Sequence, residues 1–161
     1  MICILSDTHE NIKVLKPALE QIKTYKPELV VHCGDIISPP LLDNFKGLPM
    51  RFVFGNNDGE RAGLRKKCEE FGFGIIDDVI EFKYKGKDIL VYHGTNSRVL
   101  QAHIDAQQHD YVMHGHTHVP RDETFGKTRV LNPGAMFMAD RYTFGVLDID
   151  SGDFKIVEVD I

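Results

Sequence analysis

Apolar residues in this chain fall into short β-like runs that alternate, in the first part, with helical spacings. Met1 to Leu5 is an unbroken apolar run and reads as a buried strand. From Asn11 to Tyr25 apolar residues stand at 12, 15, 18, 19 and 22, one face of a helix, and Pro27 stops it. Leu29-Val30-Val31 begins a second buried strand. Pro39-Pro40 opens a short helix carrying Leu41, Leu42 and Phe45, Met50 to Phe54 is a third strand, and Glu60 to Phe71 is a charged helix. The pattern then changes. Val79 to Tyr84 and Asp88 to Tyr92 flank Lys85-Gly86-Lys87, a β-hairpin signature. Val99 to Gln108 reads as a helix and Tyr111-Val112-Met113 as a buried strand. Strands follow at 119–125, 128–132, 142–149 and 154–161, the last alternating Val157, Val159 and Ile161 with Glu158 and Asp160. A βαβα first half followed by antiparallel hairpins is a layered α/β fold.

With 161 residues and no linker, repeat or low-complexity run, the expectation is one domain over residues 1–161. An apolar fraction of 42% beside 27% charged residues argues against extensive disorder. No apolar run exceeds five residues, so no membrane-spanning helix is predicted, and the opening run is too short for a signal peptide. The net charge of −5 gives no general attraction for nucleic acid or anionic lipid. Cys3, Cys33 and Cys68 are odd in number and lack CxxC spacing, which predicts reduced thiols in a cytoplasmic protein.

The chemistry sits where strands end. Met1–Leu5 runs into Ser6-Asp7-Thr8-His9, and Leu29–Val31 into His32-Cys33-Gly34-Asp35. Phe52–Phe54 runs into Gly55-Asn56-Asn57-Asp58, Ile89–Tyr92 into His93-Gly94, and Tyr111–Met113 into His114-Gly115-His116-Thr117-His118. Open α/β sheets bind ligands beyond the carboxyl ends of their strands. Asp7, His9, Asp35, Asn56, His93, His116 and His118 could therefore surround one point. Seven donors are too many for one ion and suit two metals sharing a bridging carboxylate. All are nitrogen or oxygen, which disfavours a structural zinc site and suits manganese, iron, cobalt, nickel or zinc better than magnesium or calcium. Two dications against two aspartates leave a charge of about +2, which would attract phosphate to an acidic protein.

These blocks resemble the calcineurin-like metallophosphoesterase pattern: D-x-H, G-D, G-N-H-[DE], a lone H, then G-H-x-H. Here they stand as Asp7-Thr8-His9, Gly34-Asp35, Gly55-Asn56-Asn57-Asp58, His93 and Gly115-His116-Thr117-His118, in order over nearly the whole chain. The short length and Asn132-Pro133-Gly134 resemble the small bacterial and archaeal phosphodiesterase branch. The resemblance implies a four-layer αββα sandwich of two mixed β-sheets flanked by helices. It implies that Asp7, His9 and His118 hold one metal, that Asn56, His93 and His116 hold the other, and that Asp35 bridges them. The cofactor would be two divalent transition-metal ions from Mn, Ni, Co, Fe and Zn, manganese foremost. A bridging hydroxide would attack phosphorus in line, with the metals neutralising phosphoryl charge. The substrate would be a small phosphodiester, and a homodimer would be common for such enzymes.

One position departs from that pattern. The G-N-H-[DE] histidine, credited with protonating the leaving group or holding phosphate, is Asn57 here. An amide donates a hydrogen bond but is no acid near neutral pH. That favours diesters with good leaving groups and leaves Asn57 as a substrate contact. The alternatives are a phosphomonoesterase and a non-catalytic binding scaffold on the same fold. Asp58 is expected to orient a neighbour, His32 and His114 to pack at strand ends, and His103 and His109 to be solvated. Cys33 reads as a small buried hydrophobe. Met136, Phe137 and Met138 could line the site or form a subunit contact, with core packing the default; Arg61 to Lys67 reads as a solvated helix face, and Asp148 to Asp153 as a hairpin turn. Arg98 and Arg141 could reach a substrate phosphate.

Overall fold

The computed structural model describes residues 1–161. The chain runs β1 (Ile2–Leu5), α1 (Ile12–Thr24), β2 (Leu29–His32), a 3₁₀ segment (Pro39–Phe45), β3 (Met50–Phe52) and α2 (Arg61–Phe71). It continues through β4 (Val79–Tyr84), β5 (Lys87–Tyr92), α3 (Ser97–Asp105), β6 (Tyr111–Met113), β7 (Arg121–Phe125), β8 (Thr128–Asn132), β9 (Thr143–Leu147) and β10 (Phe154–Glu158).

Successive side chains of a strand point to opposite faces. In β1, Ile2 and Ile4 join one apolar cluster while Cys3 and Leu5 join another, all four buried. In β5, Ile89 and Val91 share the cluster of Ile2 and Ile4, and Leu90 and Tyr92 join a third. Strands buried on both faces need a layer on each side, which explains their unbroken apolar runs. The layers are α1, α2 and the 3₁₀ segment, then a five-stranded sheet β10-β9-β1-β2-β3, a second five-stranded sheet β4-β5-β6-β8-β7, and α3. This is the expected four-layer sandwich of two mixed sheets. Helix α1 buries Val14, Leu15, Ala18, Leu19 and Ile22 against the first sheet, and α3 buries Leu100 and Ile104 against the second. No helix is long and apolar enough to cross a membrane.

Within the first sheet β1, β2 and β3 are parallel neighbours, and within the second so are β5, β6 and β8. Parallel neighbours present their carboxyl ends on one edge, so each sheet gathers its ligand-bearing loops together.

The boundaries differ where local bonds override pattern. Strand β3 ends at Phe52 because the Phe54 N–H turns to the Asp77 carbonyl, 2.9 Å away. Helix α3 begins at Ser97 because the Asn96 side chain accepts the Arg98 and Val99 N–H groups, and it ends at Asp105. His109 is buried, not solvated: its carbonyl accepts the Thr128 hydroxyl at 2.6 Å, and its Nε2 lies 3.4 Å from Glu81 Oε2. His103 is half-buried beside Tyr92. Asp148 to Asp153 forms the turn between β9 and β10, and the three cysteines are buried free thiols.

Candidate metal centre

Asp7 follows β1 with φ +53°, and its two carboxylate oxygens have different surroundings. Oδ2 accepts the Ser6 hydroxyl at 2.6 Å and the His116 N–H at 3.1 Å. Oδ1 is buried and has no hydrogen-bond partner. It faces His118 Nε2 at 3.2 Å and the Nε2 atoms of His9 and His93 at 3.9 Å each. A buried carboxylate oxygen without a donor costs about 3 kcal/mol, and a cation among these atoms would remove that cost.

Asp35 lies opposite, its Oδ2 3.0 Å from His9 Nε2 and 3.5 Å from His93 Nε2. His9 Nε2 is nevertheless out of line for a hydrogen bond and is itself unpartnered. Burial alone would raise the Asp35 carboxyl pKa, but the His9 and His93 imidazoles and the Asn57 amide outweigh it and hold it well below the usual range. His93 is fixed by the Cys33 carbonyl, 2.6 Å from Nδ1, which leaves Nε2 facing Asn56 Oδ1 at 3.1 Å. Burial opposes charge on that ring, but Asp35, Asp7 and the Cys33 carbonyl raise its pKa. Metal-ligating histidines commonly give their other ring N–H to a backbone carbonyl. His93 does so with Cys33, and His118 with Met138 at 3.2 Å.

Two groups of donor atoms emerge, Asp7 with His9 and His118, and Asp7 with Asp35 and His93, each within a 4.8 Å span. They overlap at Asp7, while Asp35 touches a histidine from each. Asn56 joins through His93, and the His116 ring stands 5.1 Å from that of His93. Five of the seven expected donors, Asp7, His9, Asp35, His93 and His118, thus fall in these two groups, Asn56 is placed beside them through His93, and His116 through its ring alone; nitrogen and oxygen donors of this kind suit divalent transition metals. Asn57 is not free: its N–H and side-chain amide donate to Asp35 at 2.9 and 2.8 Å. Arg98 is exposed, and Arg141 makes only a 3.8 Å pair with Glu158.

The surrounding shell was only partly visible in the sequence. Asp58 accepts four backbone N–H groups, from Asp35, Ile36, Ile37 and Gly55, at 2.6–3.1 Å. It ties the loop after β2 to the loop after β3. Burial, with the Asp35 charge added, pushes its carboxyl above the usual range against the pull of those donors. Asp7, His9, Asp35, His116 and His118 all have positive φ, a region non-glycine residues seldom adopt. Such strain concentrates at functional sites. Gly115 has to be glycine, since a Cβ there would collide with Ser6 Oγ and sit 2.7 Å from Asp7 Oδ2. Asn132 donates to the Gly115 carbonyl and Thr117 Oγ1, 3.0 Å each, and so shapes the histidine loop. Phe137 stacks on His9 with ring centres 4.7 Å apart, so it lines the site and does not join the core as expected. Met136 is core, whereas Met138 is exposed. Asn132 carried a signal, its place at the end of β8; Phe137 carried only its position shortly after Asn132-Pro133-Gly134.

Comparison with known proteins decides the family. The sequence profile of the calcineurin-like phosphoesterase superfamily domain matches residues 1–152. The chain belongs to the calcineurin-like phosphoesterase superfamily. Among its calcineurin-like relatives is a phosphodiesterase of Methanocaldococcus jannaschii, 31% identical over 157 residues, covering 94% of this chain and 95% of that protein. A solved archaeal phosphodiesterase superposes with a TM-score of 0.92 at 30% identity, covering 98% of each chain. A phosphoesterase from E. coli shares the calcineurin-like fold at a TM-score of 0.71 and 17% identity, covering 99% of each chain.

Proposed function

We propose that this protein is a metal-dependent phosphodiesterase with a two-ion centre. The observation that carries the reading is the unpartnered, buried Asp7 Oδ1 amid the Nε2 atoms of His9, His93 and His118. The archaeal relatives are themselves named phosphodiesterases. Asp7, His9 and His118 would hold one ion, Asn56, His93 and His116 the other, and Asp35 would bridge. Divalent ions held there, manganese foremost, would supply a lowered pKa for water and positive charge against phosphoryl oxygens.

The chain's own residues orient and select. Cys33 and Met138 carbonyls fix the His93 and His118 rings so that Nε2 points inward. Asp58 holds the Asp35 backbone in register with the loop bearing Asn56. Asn57 holds Asp35 by two hydrogen bonds, and its amide has no proton to give a departing alkoxide. Esters whose leaving group needs no protonation are therefore favoured, such as activated aryl diesters, over alkyl phosphomonoesters. The intact donor set favours an enzyme over a binding scaffold, and a small cytoplasmic diester is the substrate class we assign.

The test strips the protein with chelator and adds back Mn, Ni, Co, Zn or Mg. Hydrolysis of bis(p-nitrophenyl) phosphate is compared with that of p-nitrophenyl phosphate. Recovery with a transition metal and a preference for the diester is expected. Stoichiometric metal binding without turnover of either ester would overturn the reading in favour of the scaffold.

A further inference from the structure

Beside His118 the surface opens into a groove of about 450 Å³, bounded by the Val119–Pro120 turn, the Ala139–Arg141 segment and the edge strand β10. His118 belongs to both places, since it lines the groove and its Nε2 faces Asp7 Oδ1 at 3.2 Å. The groove therefore adjoins the candidate metal centre across His118.

Two properties of the walls define what fits. The first is apolar surface: Val119, Pro120, Ala139 and Ile156 line the groove, and Val119 is 62% and Ile156 37% exposed. The groove lies within the roughly 300–1,000 Å³ range of small-molecule sites, so it admits a ring with room to spare, and a methyl group would leave most of its apolar wall uncovered. The second is charge. Arg141 is the groove's one cation and already pairs with Glu158 at 3.8 Å, while Asp140 stands beside it. The lining thus carries one more negative charge than positive, and a second anionic group entering it would meet like charge. Discrimination built on repulsion as well as fit is a common way to set specificity.

We propose that this groove receives one ester substituent of the phosphodiester. It selects an uncharged, ring-sized group over a methyl group and over a group bearing a further phosphate or carboxylate. The inference rests on the phosphodiesterase reading above and narrows its substrate class.

The experiment uses zinc-loaded protein, because a d¹⁰ ion leaves methyl resonances sharp. The probes are methylphosphonate, phenylphosphonate and p-carboxyphenylphosphonate, which are not hydrolysed. Phenylphosphonate should bind about tenfold tighter than methylphosphonate. It alone should move the Val119 and Ile156 methyl signals, and the carboxyl group should cancel the gain. Val119→Asp should abolish the phenyl preference, and Ile156→Ser, which alters a partly exposed edge position, should reduce it. Ile75→Asp, at an 80% exposed position between α2 and β4, should retain it. Equal binding of phenyl and methyl probes, or a preference that survives Val119→Asp, overturns the groove assignment. Turnover of bis(p-nitrophenyl) phosphate in the same preparation would show that the phosphodiesterase reading stands regardless. Absence of both phosphonate binding and diester turnover with every metal would sink both.

Discussion

At the scale of single residues, the most demanding position is one that touches no expected ligand atom. Asp58 Oδ1 accepts the Ile36 and Ile37 N–H groups and Oδ2 those of Asp35 and Gly55. Asp58→Asn preserves shape but turns an NH₂ toward two N–H donors. The expected loss is about 3 kcal/mol of stability, a Tm lower by about 10 °C, with weakened metal binding. A Tm within about 2 °C of the parent in a thermal melt would show that the clamp is dispensable. His32 makes a second residue-scale prediction. Gly34 N–H donates to its Nδ1 at 3.2 Å and its Nε2 meets Thr8 Oγ1 at 3.0 Å, a network that fits the neutral ring. Burial, helped by the nearby His93, pushes its pKa down to about 3. The unfolded chain takes up that proton near pH 6.5, so below this the unfolded state binds more protons and stability falls. The slope is about 1.4 kcal/mol per pH unit until pH approaches the folded value. Buried His114, whose pKa burial lowers to about 4, adds a similar contribution, so urea titrations of chelator-stripped protein from about pH 7 to 4.5 should show both, and His32→Gln should reduce the slope by its share of about 1.4 kcal/mol per pH unit. An unchanged slope in the variant would place the proton elsewhere. Asp7, Asp35 and the histidines were legible because each follows an apolar run. Phe137 was not, because ring stacking on His9 depends on a loop that no periodicity describes.

At the scale of elements, the sequence showed the strands well because both sheets are covered on both faces. Ile2-Cys3-Ile4-Leu5 and Ile89-Leu90-Val91-Tyr92 are unbroken apolar runs for that reason, each feeding two clusters. What periodicity could not give was the placement of one sheet on the other, which is fixed by contacts distant in sequence such as His93 with Asn56. Helix ends were missed where a side chain decides them: Asn96 starts α3 at Ser97, two residues before the apolar pattern begins. The loop after β6 shows how an element depends on a missing side chain. Gly115 lets the 115–118 turn lie on Asp7, and the His116 N–H then reaches Asp7 Oδ2 at 3.1 Å. In Gly115→Ala the new methyl would strike Ser6 Oγ and push the histidine loop outward. We expect diester turnover to fall at least about a hundredfold, a misplacement effect of the kind expected for ~1 Å, while the circular dichroism spectrum is kept. Full activity in that variant would mean that the loop can move without disturbing the site.

For the whole molecule, the site is a seam. Asp7, His9, Asp35 and Asn56 follow strands of the first sheet, and His93, His116 and His118 follow strands of the second. Ions held among them would join the two sheets along their common edge, opposite two carboxylates that otherwise repel each other. They would also offset the positive-φ strain at Asp7, His9, Asp35, His116 and His118, which the chain must otherwise bear unaided. Metal binding should therefore be linked to folding, since an ion that binds only the folded chain stabilises it by RT ln(1 + [M]/Kd). At a free metal concentration of about a hundred times Kd, each independent site adds about 2.7 kcal/mol. At about 2–4 °C per kcal/mol for a chain this long, two sites raise Tm by about 10–20 °C. Calorimetry of stripped protein across a manganese series should show Tm rising with the logarithm of metal concentration. Asp35→Asn should flatten that rise and abolish turnover together, because one carboxylate serves both the seam and the chemistry. If Tm stays flat while metal analysis finds two ions per chain, the unfolded chain binds them as tightly as the folded one, and the ions contribute nothing to holding the sheets together.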